Sequence, residues 1–120
     1  MANKKNKIPN IERPTKIKIS GLDFNIEYVP LNEELFGDFS YLNSRIRIEK
    51  NLSGPPLVDT ILHEMNHAVW KVWQLKDRKE DEERVVAVMA AAWTQIFRDN
   101  PEFSKWMQKE LEQYLEEEEC

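Results

Sequence analysis

The stretch Leu57-Val-Asp-Thr-Ile-Leu-His63-Glu64-Met65-Asn66-His67-Ala-Val-Trp70-Lys-Val-Trp73-Gln-Leu75 decides how this chain reads. Val58, Ile61, Leu62, Met65, Val69, Val72 and Trp73 recur at steps of three and four. That spacing makes one apolar stripe and predicts a helix from about Leu57 to Leu75. Asn51-Leu-Ser-Gly-Pro-Pro56 breaks the chain before it, and proline near a helix start is tolerated because its missing N–H would be unpaired anyway. His63 and His67 stand one turn apart on the side opposite the stripe. Trp70 shares that side, and so large an aromatic suggests partial cover there.

Outward from this helix the chain divides in two. Towards the C-terminus, residues 76–79 are a polar link, and Asp77 followed by Glu80 has capping-box spacing. A second helix is expected to run to about Arg98, with Val85, Val86, Met89, Ala92, Trp93 and Ile96 as its stripe. Asn100-Pro101 stops it. A third, Glu102 to about Leu115, carries Phe103, Trp106, Met107, Leu111, Tyr114 and Leu115. Towards the N-terminus the period is two. Ile17 and Ile19, then Phe24, Ile26 and Tyr28, alternate with polar residues around a turn at Ser20-Gly21-Leu22-Asp23. Glu33 to Asp38 reads as a short helical turn or loop. Tyr41-Leu42, a turn at Asn43-Ser44, and Arg45-Ile-Arg-Ile-Glu49 suggest a second hairpin. The expected fold is α+β: a small, mostly antiparallel sheet followed by three helices, the histidine pair on the first. Residues 1–15 read as a flexible arm, 16–115 as one domain and 116–120 as an acidic tail.

Composition narrows the function. The chain has 120 residues, enough for one domain with a modest core. Its net charge of −5 is uneven: Met1–Thr60 carries nine Lys and Arg against eight Asp and Glu, and Ile61–Cys120 eight against fourteen. Nucleic acid is therefore not an expected partner, since phosphate affinity needs clustered cations. Cys120 is the only cysteine, which suits a reducing cytoplasm and excludes an internal disulfide. No apolar run follows Met1-Ala-Asn-Lys-Lys-Asn-Lys7, so neither signal peptide nor membrane span is expected.

The chemistry sits in His63-Glu64-Met65-Asn66-His67. Two imidazoles one turn apart on a helix can hold a single Zn²⁺. Glu64, about 100° round the helix from His63, is placed to take a proton from water polarised by that ion without occupying it. A catalytic zinc wants three protein ligands. No third histidine exists, so a carboxylate is expected from the start of the second helix, Glu82 by preference or Glu83. An unpaired carboxylate towards an apolar face is costly, and coordination would remove that cost for Glu82. Both are also first-turn acids that the helix dipole favours regardless of any metal. Tyr28 and Tyr41 could stabilise an oxyanion or simply pack on the sheet.

The order of these features resembles the small gluzincin-type metallopeptidases of phages and bacteria, ImmA-like and more distantly SprT-like. The resemblance covers roughly Lys16 to Pro101. It implies a minimal zincin that holds Zn²⁺ through His63, His67 and Glu82 or Glu83. Glu64 would be the general base, cutting an amide bond in a protein or peptide. It also implies an edge strand, Arg45–Glu49, able to pair an extended substrate. The competing expectation is a non-catalytic interaction protein of the same fold, with structural zinc or none, binding a partner through its acidic C-terminal helix.

Overall fold

The computed structural model describes residues 12–32, 34–75 and 82–119, with side chains as far as Glu112. Strands β1 (Lys16–Ile19), β2 (Leu22–Val29), β3 (Gly37–Ser40) and β4 (Arg45–Glu49) precede helices α1 (Gly54–Val72), α2 (Glu82–Asp99) and α3 (Pro101–Glu119). The α+β class thus holds. The link at 76–79 and its Asp77 cap lie outside the described residues, as does most of the arm. The arm's last residues are tied down: Arg13 donates to the Lys50 and Leu52 carbonyls and sits over the Tyr28 ring.

The sheet is mixed, in the order β1-β2-β4-β3. β1 and β2 form the expected hairpin, and Ser20 and Gly21 both have positive φ, as a tight two-residue turn needs. β4 departs from expectation. It pairs in parallel with β2, setting Ile26 beside Ile46 and Tyr28 beside Ile48, and antiparallel with β3 on its other side. It is therefore an inner strand, and β3 is the edge. Ile46 and Ile48 are fully covered there, as are Ile17 and Ile19 on the β1 edge, so burial of the apolar face alone does not distinguish an inner strand from an edge strand. β3 occupies Gly37–Ser40, whose first two residues are read above as a helical turn or loop, while Tyr41 and Leu42 lie in the connecting turn, Leu42 93% exposed. With one large apolar residue, Phe39, four residues of strand give too little alternation to register.

All three helices contribute to a core on one face of the sheet. Ile17, Ile19, Phe24, Ile26, Ile46 and Ile48 meet Leu57, Ile61, Met65 and Val69 of α1, Ala92 and Ile96 of α2, and Phe103 and Trp106 of α3. The other face is charged, with cross-strand pairs Lys18–Asp23 and Arg47–Asp38. α1 starts three residues earlier than its stripe suggests. Ser53 makes no side-chain cap, and Glu110 of α3 supplies one instead, accepting from the Gly54 N–H at 2.6 Å. A carboxylate there also suits the helix dipole. On α2 the buried residues are Val88, Ala92 and Ile96, and Val86 is 55% exposed. The stripe read from the sequence is thus turned, because the segment is apolar nearly all round.

The two sheet edges end differently. At β1, the Asn100 side chain accepts from the Lys18 N–H and donates to the Lys18 and Ile96 carbonyls, closing that edge and tying down the end of α2. β3 pairs on one side only among the described residues. No helix among them is long and apolar enough to cross a membrane.

Candidate metal centre

α1 lies under β3 and β4 so that its polar face emerges beside the open β3 edge. The close approach depends on Gly37. A Cβ there would meet Thr60 Cγ2 at 2.9 Å, the Arg47 carbonyl at 3.1 Å and Glu64 Cγ at 3.3 Å. Glycine lets the edge strand rest directly on the helix turn that carries Glu64.

His63 and His67 are exposed on that face, their ring centroids 4.9 Å apart and their planes inclined at 72°. Their Nε2 atoms approach to 3.2 Å. Two nitrogens held tetrahedrally at roughly 2.0–2.1 Å from one Zn²⁺ would stand about 3.3 Å apart, so the pair fits one ion. A ring-to-ring hydrogen bond, one imidazole donating, would give the same spacing. Glu64 stands beside the pair. Glu64 is only 6% exposed, yet it lines the cleft beside both rings. Burial raises its carboxyl above the ordinary glutamate range; His67 and His63 pull it back down, and Asp38 adds to the rise. A largely covered carboxylate beside two imidazoles is the arrangement in which burial and neighbouring charge oppose each other.

The cleft encloses about 510 Å³ between β3 and α1 and is lined by Gly37, Asp38, Phe39, His63, Glu64, His67, Trp70 and Lys71. A second, of about 480 Å³, lies on the α2 side of the histidines, against Asn66 and Trp70. There Trp93 of α2 donates its indole N–H to Asn66 Oδ1 at 3.0 Å, fastening α2 to the motif helix. Trp70 is partly covered, as its position suggested.

The remaining candidates are more scattered. Glu82 and Glu83 open α2, and both are exposed. Among the described residues no three His, Cys, Asp or Glu side chains gather closely enough to hold a metal. Tyr28 points elsewhere: its hydroxyl donates to the Pro14 carbonyl at 2.7 Å, and burial raises its pKa. Tyr41 is nearer, with the Lys71 ammonium 5.9 Å from its ring centroid. Gly37 and Phe39 were not singled out from the sequence. The signal available for Gly37 was its rarity, one of three glycines in the chain. Comparison with protein-family models, curated proteins and solved structures finds no match.

Proposed function

We propose that this chain is a zinc-dependent metallopeptidase, a minimal zincin that cleaves amide bonds in a protein or peptide. The observation that carries the reading is the convergence of His63 and His67 Nε2 atoms at 3.2 Å beside a buried Glu64. His63 and His67 would hold the ion, with Glu82 or, alternatively, Glu83 as third ligand. When bound, Zn²⁺ supplies a Lewis acid that polarises water and the substrate carbonyl.

The chain's own residues do the rest. Glu64 takes the proton of the attacking water, and its dry setting lifts its affinity for that proton towards the working range. It can then return the proton to the leaving amine. The unpaired edge of β3 offers N–H and C=O groups to an extended peptide, so strand addition falls to Gly37–Ser40 in place of β4. Phe36, 60% exposed, and Phe39 give apolar side chains somewhere to rest along that edge. Asn100 leaves β1 no such role.

The competing reading is an interaction protein of the same fold that binds a partner through its acidic C-terminal helix, α3. One variant separates the two. Glu64→Gln should keep bound zinc and lower peptide cleavage by roughly 10²–10⁴-fold. A chain that cuts no peptide, or a variant that cuts as fast as the wild type, would refute the peptidase reading.

A further inference from the structure

The exposed face of α1 carries more than two histidines. Asp59, His63, His67 and Lys71 follow one another at four-residue steps and so form one ridge. Asp59 shares a cleft of about 240 Å³ with Phe36, His63 and Glu64. Lys71 shares the larger cleft with Phe39 and His67. Among the described residues that line these clefts, Lys71 is the only Lys or Arg. It faces the Tyr41 ring, and neither it nor Asp59 is in an ion pair with any described residue. Asp38 also lines the larger cleft, but its charge is met by the Arg47 guanidinium. Along the helix ridge the groove is therefore bipolar, anionic at the Asp59 end and cationic at the Lys71 end, with the histidines and Glu64 between.

We infer that this groove selects an internal peptide segment. The segment bears a side-chain carboxylate on the N-terminal side of the scissile bond and a side-chain cation on the C-terminal side. The inference rests on the peptidase reading above. Its direction comes from the edge strand. Gly37 lies against Thr60 and Glu64, and Tyr41 lies against Lys71, so β3 runs the same way as α1. A peptide adding antiparallel to β3, the slightly more stable ladder, passes Lys71 first and Asp59 last. Spacing follows from rise. Each charge lies six residues along the helix from the midpoint of the histidine pair, about 9 Å at 1.5 Å per residue. That is two to three residues of extended chain at about 3.3 Å each. In this orientation a free amino terminus would meet Lys71 and a free carboxylate would meet Asp59. Both contacts repel, which makes internal cleavage the favoured mode and chain-end trimming the disfavoured one.

The test uses the zinc-loaded full chain and end-blocked peptides that share an apolar centre. One set carries Glu before and Lys after the centre, a second reverses them, and a third carries Gln at both places. A fourth, neutral set has free ends. The Glu-first set should be cut at least about fivefold faster than the reversed set, a difference that fades in 0.5 M salt. The double variant Asp59→Lys/Lys71→Glu, which leaves His63, Glu64 and His67 in place, should invert the preference. Neutral peptides with free ends should be cut no faster than their blocked counterparts. Cleavage of both orders at equal rates, or a swapped variant that keeps the wild-type order, would overturn the bipolar groove and leave the peptidase standing. A preference for the Lys-first order, or for free ends, would overturn the antiparallel placement. No cleavage of any peptide by the wild type would overturn the peptidase and this inference with it.

Discussion

Replacing Gly37 by alanine tests the seat of the site without touching a chemical group. The added methyl would stand 2.9 Å from Thr60 Cγ2, 3.1 Å from the Arg47 carbonyl and 3.3 Å from Glu64 Cγ. The first distance is shorter than carbon atoms tolerate, and the second is to backbone, which cannot swing away. Overpacking of this kind costs about 1–3 kcal/mol. Alanine recovers about 0.5–1 kcal/mol because it surrenders less backbone freedom than glycine. The net expected loss is about 1 kcal/mol, which lowers Tm by roughly 3–6 °C in a domain of this size. Thermal unfolding followed by far-ultraviolet circular dichroism measures it. Thr60→Ser deletes the nearest contact and keeps the hydroxyl that donates to the Pro56 carbonyl. In the double variant it should restore part of the loss, a coupling of at least about 0.5 kcal/mol. A Gly37→Ala protein that melts with the wild type, or a double variant whose losses simply add, would refute the close seating of β3 on α1.

Other expectations follow from the same contacts. Burial raises the Glu64 carboxyl above its unfolded-state value, so its contribution to stability is fully present below the unfolded pKa and is lost as pH rises through the folded one. With chelator present, Glu64→Gln should therefore melt higher than the wild type at pH 7 and show a smaller difference near pH 4; equal melting at both would contradict the burial. Asn100→Ala removes two hydrogen bonds to Lys18 of β1 and one to the Ile96 carbonyl of α2, and should destabilise the chain by about 1–3 kcal/mol in urea titration. Asp38 is held below the usual carboxylate range by the Arg47 guanidinium, so the stability that this pair adds is present at neutral pH and lost in acid. The two groups are about one-third exposed, which keeps that loss small and makes it shrink further in high salt. Asp38→Asn should flatten the acid limb of the stability curve slightly.

Much of this was legible in the sequence wherever periodicity was long and one-sided. Nineteen residues of α1 with a single stripe placed Ile61, Met65 and Val69 in the core and both histidines on the outside. The β1–β2 hairpin was equally readable, because Ile17, Ile19, Phe24 and Ile26 alternate around Ser20-Gly21. β3 was not, since four residues with one large apolar side chain carry no period of their own. Its pairing with β4 is a tertiary contact that no local period reports. The parallel pairing of β2 with β4 was hidden for the same reason. On α2, Val85 to Ala92 offers apolar residues in nearly every direction, so tertiary contact with β1 decided which of them went inside. The histidine pair and its glutamate were fixed by local helix geometry alone. The wall opposite them, built from Gly37 and Phe39, depended on long-range packing that no local pattern announces.

The measurement that bears most directly on the central claim is zinc per chain by elemental analysis. The wild type would be compared with His63→Ala, His67→Ala, Glu82→Ala and Glu83→Ala. About one equivalent is expected in the wild type, with loss in both histidine variants and in one of the two glutamate variants. A wild type that holds no zinc after refolding with it, or a His63→Ala protein that holds as much as the wild type, would contradict the account.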